Sequence, residues 1–536
     1  MARVWVVGSG ASGVHFALTL LEKGVDVTMI DVGRVGPEPV QPEASLNSLK
    51  ETLEDPTAYF LGQALEGVSL PNLDSEYYGI PPGREFILES LPGFSYTTRG
   101  FAPLFSFAQG GLAEAWTGGS YPLDDRDLSE FPFGYSDVEP CYSQVAARIG
   151  ITGVDDDLSR FFPGHDHLLD PLELDLHSAR ILEAYERSRT FLNNKLGCFI
   201  GRTRVATLSH DMGPRKECAY LGRCLWGCPI DAIYTPSQTL KQCMTYPGFD
   251  YLSGLEVRHF RINSANRVAA LVARPIGGGE DQEFPVDRVA LAAGTLFSSK
   301  IFMHSVLVET GQSIELKGLM DNRQVLVPFL NLSMLGQPFS AESYQYHLLG
   351  MALEATAEHD HVHGQITTLK TALMHPILQR LPFDLRTSIF VGRALHAALG
   401  IVNVNFSDTR RDENYVALTP SQPDEEPRLA IRYSPSANEP VRMSNGLKRV
   451  HRALRKLGCI VPPGMSHVRP MGASVHYAGT IPMSSTPEPW TTTEICQSRD
   501  FENLFFVDGT TFPSLPAKNV TFTLMANAIR VAKEAF

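Results

Sequence analysis

The chain has 536 residues, of which 43% are hydrophobic and 20% charged, the balance of a folded globular protein, which excludes wholesale disorder. At roughly 100–200 residues per domain it holds two to four domain-sized units. A net charge of −13 with no basic cluster argues against a nucleic-acid surface and suits a neutral or cationic small molecule. No stretch reaches the ~18–20 apolar residues of a membrane span. The chain opens directly on a strand without a signal peptide, so the cytoplasm is the expected location, although export with a signal-bearing partner would leave no trace. Eight cysteines are too few for a disulfide scaffold.

Arg3–Gly8 reads as a buried parallel strand, an apolar run ending in glycine. Gly8-Ser-Gly10-Ala-Ser12-Gly13 follows, then a helix over Val14–Lys23 and a second strand over Asp26–Asp31. Each part of this strand, turn, helix, strand and acid has a task in dinucleotide binding. Gly8 permits the tight turn, Gly10 lets the backbone approach a pyrophosphate, and Gly13 lets helix and strand pack closely. The helix N-terminus attracts phosphate, and Asp31 binds ribose hydroxyls. The Pro-rich stretch Val35–Pro56 then breaks the β-α alternation. A simple nicotinamide dehydrogenase would continue it, so the break points to a flavoprotein with inserted segments.

Residues 98–120 are glycine-rich (Gly100, Gly110, Gly111, Gly118 and Gly119, with Trp116 among them), as a loop lying against a flat ring would be. Residues 121–199 are more polar and end in a helix over Ala179–Leu196. Cys218, Cys224 and Cys228 place three thiols within eleven residues, with Pro229 directly after the last. Such spacing suits an iron–sulfur cluster; a zinc site, with His210 as a fourth ligand, and a disulfide that leaves one thiol over are the other readings. The other five cysteines read as buried structural residues. Val286–Ala293 is a clean strand leading through Gly294 into a helix over Leu296–Ser305.

Residues 321–469 alternate between strands (Gln324–Leu332, Ile401–Phe406, Arg428–Tyr433) and helices (Gly392–Leu399, Glu439–Leu457), the pattern of a substrate domain. Tyr344, Tyr346 and His347 are candidates to line its site. Three alternating histidines in Glu358–His363 hint at metal, but a solvated polar edge is the favoured reading. Substrate recognition falls in the loops of residues 60–100 and 321–469. At the C-terminus, Leu504–Gly509 is an apolar strand ending in Asp508, a loop follows to Pro513, and a final helix begins near Asn519.

His476-x-x-Gly479-Thr480-x-x-Met483, then Asn503-Leu504-x-x-Val507-Asp508 with Pro513, then Asn519-Val-Thr521-x-Thr523, resemble the C-terminal motifs of the glucose–methanol–choline (GMC) oxidoreductases, with Val520 in place of the usual proline. Gly8/Gly10/Gly13, the Gly110–Gly119 loop and Ala292-Ala293-Gly294 fall in that family's order, while Leu112-Ala113 depart from its small hydroxyl residues. The resemblance implies an α/β fold in which a Rossmann-like FAD-binding domain (1–120, 200–320 and 465–536) carries an inserted α+β substrate domain (121–199 and 321–464). It implies alcohol oxidation, with His476 as the base and Asn519 as its partner on the same oxygen. An unperturbed histidine, with pKa about 6.5, is a suitable proton acceptor near neutrality.

FAD contacts are implied at Gly8, Gly10, Ser12, Gly13, Asp31, Gly110, Gly111, Trp116, Gly118, Val257, Ala293, Gly294, Asp508, Gly509, Asn519, Val520 and Thr521. The final helix is expected to aim its positive end at the reduced flavin. The three-cysteine spacing resembles the hinge of bacterial FAD-dependent sugar dehydrogenases. That implies a 3Fe-4S cluster on Cys218, Cys224 and Cys228, passing electrons to a cytochrome with a helper subunit as a further partner. The leading expectation is therefore a dehydrogenase of a sugar, glycoside or polyol. The alternatives are a biosynthetic oxidase of an aminoglycoside-like intermediate using oxygen, and a non-redox flavoprotein of the same fold.

Overall fold

Val4–Val7 pairs in parallel with Arg288–Leu291 on one side and Val27–Ile30 on the other. Leu504–Phe506 and Phe249–Leu252 extend this to a five-stranded sheet whose strands come from both ends and the middle of the chain. These coordinates are a computed structural model describing residues 3–63, 65, 80–355, 361–369, 382–420 and 426–536. One face of the sheet is covered by helix Ala11–Glu22, which packs on the last helix, Thr521–Glu534. That helix in turn meets Tyr135–Ile149, in a core including Phe16, Leu20, Tyr142, Met525 and Ile529. Residues 121–199 are thus divided. Helix Tyr135–Ile149 shares the core of the parallel sheet, because Val138, Tyr142 and Val145 form an apolar stripe, while helix Leu176–Leu196 backs a second sheet. On the other face lie helix Thr295–Thr310 and the antiparallel strands Leu255–Ile262, Val268–Pro275 and Gln282–Pro285, with Phe260, Phe302 and Phe506 at their junction.

The second sheet is antiparallel. Its order is Cys459–Ile460, Arg323–Asn331, Leu399–Phe406, Val362–Thr368, Leu349–Leu353 and Cys198–Arg202, with His467–Val468 also pairing to Arg323–Asn331. Side chains alternate across the pleat. Val325, Val327, Ile366, Val402 and Val404 bury against helices Leu176–Leu196 and Glu439–Lys456. The opposite face carries Leu326, Gln365 and Asn403 in one cross-strand row.

Most expected elements lie where the apolar pattern puts them. Val35–Pro56 and the residues just after it hold short helices, Leu46–Thr52 and Pro56–Leu61. The helix expected over Gly392–Leu399 runs from Leu385 to Leu395, because the β-branched run from Leu399 is taken into the sheet. The favoured reading of Glu358–His363 is corrected. Glu358–Asp360 lie outside the described residues, but His363 sits in strand Val362–Thr368, flanked on both sides by other strands, and is fully buried. Its ring packs 4.4 Å from that of Tyr121, so His363 belongs to the sheet interior. Among the described residues, no helix is long and apolar enough to cross a membrane.

Candidate active site

The Gly-rich turn is shaped by what it lacks. A Cβ on Gly13 would stand 2.1 Å from the carbonyl oxygen of Gly8, so only glycine lets helix Ala11–Glu22 start this close to the strand. Gly10 caps that helix without a side-chain hydrogen bond, leaving its first N–H groups for an anion. Asp31 follows the second strand, half-buried and held by the hydroxyl of Ser9. Burial pushes its pKa up to about 6 against the hydrogen bonds that oppose this. Ser9 Oγ also accepts from the Gly110 N–H at 2.9 Å, tying the second glycine-rich loop to the first. Gly110 and Gly111 turn that loop with φ of 87° and 65°. Trp116 is fixed by donation from Nε1 to the Tyr234 carbonyl at 2.6 Å.

These groups line one cavity of about 570 Å³. Gly8, Gly10, Ser12, Asp31, Gly110, Gly111, Trp116, Val257, Ala293, Gly294, Asp508, Gly509, Asn519, Thr521 and His476 all face it. Gly13, Gly118 and Val520 do not. Gly13 is spent on helix packing, the Gly118 carbonyl accepts from the Ala206 N–H at 2.7 Å, and Val520 is buried behind the final helix. Asp508 bonds the protein with both oxygens, accepting from the Gly294 N–H at 2.9 Å, Ser298 Oγ at 2.5 Å and the Thr510 N–H at 3.0 Å. It therefore shapes the turn that borders the cavity. A Cβ on Gly509 would meet the Tyr477 carbonyl at 2.4 Å. The cradle of glycines, the uncapped helix end and Asp31 at the strand end suit an extended dinucleotide.

At the other end the second sheet supplies the wall: Gln324, Leu326, Gln365 and Asn403, with Arg469 and Ser474 beside them. Arg469 donates to Gln324 Oε1 at 2.5 Å. Asn519 Oδ1 accepts from Gln365 Nε2 at 3.1 Å, which leaves its own amide hydrogens toward the cavity. The final helix starts here, capped at Val520 without a side-chain bond. His476 is buried, and its Nδ1 lies 3.0 Å from Asn322 Oδ1. Burial, with Arg469 adding to it, lowers its pKa to about 4, so the ring is neutral over a wider range than an unperturbed histidine. Tyr344, Tyr346 and His347 do not line the cavity. Tyr344 sits in a separate apolar cluster, and His347 lies behind Gln365 at 3.4 Å. The amide wall carried no motif in the sequence; it emerges only from the register of three strands.

The expectation of a cluster finds no support. Among the described residues, no group of three or more His, Cys, Asp or Glu side chains is arranged to hold a metal ion. Cys218, Cys224 and Cys228 pack instead with Leu172, Val205, Ile233 and Leu348. Burial pushes the Cys218 thiol up to about 11. His210 pairs with Asp170 at 3.0 Å, and no disulfide forms among the eight cysteines.

Residues 410–528, which hold His476, Asp508 and Asn519, match the GMC oxidoreductase family. The chain thus carries the C-terminal domain of the GMC oxidoreductases. The fold agrees over its whole length. Pyridoxine 4-oxidase from Mesorbium loti superposes with a TM-score of 0.62 at 16% identity, over 100% of this chain and 99% of that one. In sequence, the chain is 23% identical to 6'''-hydroxyparomomycin C oxidase of Streptomyces lividus over 568 residues, 99% of this chain and 91% of that protein. It is also 23% identical to paromamine 6'-oxidase of Streptomyces fradiae over 565 residues, with the same coverage.

Proposed function

We propose that this protein binds FAD in the glycine-lined end of the cavity and oxidises a hydroxyl of a sugar-like substrate at the amide-lined end, with oxygen as the electron acceptor. The observation that carries the proposal is the convergence of His476 and Asn519 on the same cavity as the dinucleotide cradle. FAD, when bound, supplies the acceptor for the hydride that leaves the carbinol carbon. His476 takes the hydroxyl proton, and burial keeps it neutral and ready to do so. The Asn519 amide donates to the same hydroxyl oxygen while Gln365 holds it in place. The amino end of helix Thr521–Glu534 favours negative charge arising beside it.

Two features support a sugar-like substrate. Gln324, Gln365 and Asn403 offer donors and acceptors suited to several hydroxyls, and both relatives that match over 99% of this chain are named as oxidases, of 6'''-hydroxyparomomycin C and of paromamine. The reading requires neither a cluster nor a cytochrome, since the three thiols supply no ligand set.

The test is anaerobic mixing of the purified yellow protein with a panel of amino sugars, neutral sugars and polyols, followed by air or an artificial acceptor. A member of the panel should bleach the flavin, and air should restore the colour with release of hydrogen peroxide. His476→Ala should keep the flavin and lose bleaching. A colourless protein with no capacity for FAD, or bleaching at a near-normal rate by His476→Ala, overturns the proposal. Recovery with the artificial acceptor but not with air moves the acceptor assignment from oxygen to a redox partner.

A further inference from the structure

The loop that presents His476 is held in an unfavourable shape. Val475, directly before it, has φ of 57°, a region that a β-branched side chain rarely occupies and that persists only where surrounding bonds over-determine it. Those bonds converge on one carboxylate. Asp321, fully buried, accepts from the Gly472 N–H at 2.7 Å, from the His476 N–H at 3.1 Å and from the hydroxyl of Ser474. Three donors spaced along five residues fix the curve of the loop.

The next residue addresses the ring. Asn322 Nδ2 donates to the carbonyl of Phe406 at 3.1 Å and to that of Pro516 at 2.8 Å. Carbonyls only accept, so these two bonds determine which way the amide faces: Oδ1 must be the atom 3.0 Å from His476 Nδ1. An oxygen there requires a hydrogen on Nδ1, which leaves the lone pair of the neutral ring on Nε2.

Resting on the function proposed above, we infer that Asp321 and Asn322 form a two-residue bracket, Asp321 aiming His476 into the cavity and Asn322 holding it in the tautomer whose Nε2 accepts the substrate proton. Both are positioning residues. They stand immediately before strand Arg323–Asn331, which supplies Gln324 and Leu326 to the cavity wall, so base and wall are set by one element. The charged and titratable groups around the ring are Arg469, Asp321 with Asp408 behind it, and His363. None of them competes for Nδ1, whose partner is the neutral amide.

Two variants separate a tautomer role from plain structural support. Asn322→Leu removes the acceptor for Nδ1–H and both amide donors; Asn322→Asp loses the same donors but keeps an oxygen acceptor. Anaerobic flavin reduction is measured at saturating substrate, and ring nitrogen shifts are read in protein carrying 15N-labelled histidine. The wild type should show His476 with hydrogen on Nδ1. Asn322→Leu should reduce its flavin about 10–100-fold more slowly with flavin content unchanged, and Asn322→Asp should recover at least about tenfold of that loss. Equal rates in the two variants, or hydrogen on Nε2 in the wild type, overturn the inference. If either variant loses its flavin, the wild-type spectrum decides alone. Should His476→Ala abolish reduction while Asn322→Leu leaves it intact, the bracket falls and the proposed function stands.

Discussion

The pH dependence of flavin reduction follows from the burial of His476. The base works only in its neutral form. With its pKa lowered to about 4, about 97% of the molecules are ready at pH 5.5, against about 9% for an unperturbed histidine of pKa 6.5. Reduction at saturating substrate should therefore change by only a few per cent between pH 7.5 and 5.5, where an ordinary histidine would lose about tenfold. Burial is the larger cause and Arg469 the smaller. Arg469→Met should accordingly move the acid limb upward by less than restoring solvent to the ring would. Anaerobic stopped-flow between pH 4 and 8 reads both effects; Asp321 and His363 also surround the ring and stay in place in that variant. A half-point near 6.5 in the wild type would refute the reasoning, and an unmoved or lowered limb in Arg469→Met would remove the guanidinium from it.

Gly13→Ala should cost the protein its flavin, because the new Cβ meets the Gly8 carbonyl at 2.1 Å and must push helix from strand; flavin content after purification checks this, and a full complement contradicts it. Lys518→Met should destabilise by about 3–5 kcal/mol in urea unfolding. The buried ammonium bonds Asp127 and the carbonyls of Pro122 and Phe161, with Asp124 at 3.8 Å, and its loss leaves Asp127 uncompensated. Stability should also fall on acidification from about pH 6 to 4. His347 and His361, lowered to about 3, His476, lowered to about 4, and His15 and His363, which burial also holds well below the ordinary value, take up protons only on unfolding. Each contributes about 1.4 kcal/mol per pH unit of loss. Asp31 and Asp321, raised to about 6, and the other carboxyls that burial raises, Asp127, Asp408 and Asp508 among them, protonate earlier in the folded state and oppose this, so the expected fall is the excess of the histidine contribution over theirs. A denaturation midpoint that rises over that interval would reverse the sign.

Local pattern exposed part of this molecule and long-range pairing concealed the rest. Gly8, Gly10, Gly13 and Asp31 could be read because a strand, turn, helix and strand are contiguous, and each residue has one physical task there. His476, Asp508 and Asn519 could be read because they sit in short motifs. Asp321, Asn322, Gln365 and Asn403 could not, since they reach the cavity through strand register, and an Asp-Asn pair before a strand looks like any turn. The three cysteines show the converse limit: they pack in one apolar cluster, but proximity along the chain does not by itself make a ligand set, and none is found among the described residues. His363 looked like part of a polar edge because alternation alone cannot separate a solvated face from one covered by Tyr121 and Phe162.

The central sheet hydrogen-bonds residues near position 4 through Arg288–Leu291 to residues near position 505. During synthesis, at about 5–20 residues per second, the first strand must wait until the ribosome has nearly finished before its neighbours are complete. The nascent amino-terminal half therefore stays exposed for tens of seconds, with unsatisfied strand edges, and relies on chaperones or on slow collapse to avoid sticking. Shortening the carboxyl end by even a few dozen residues should yield insoluble material rather than a weakened catalyst.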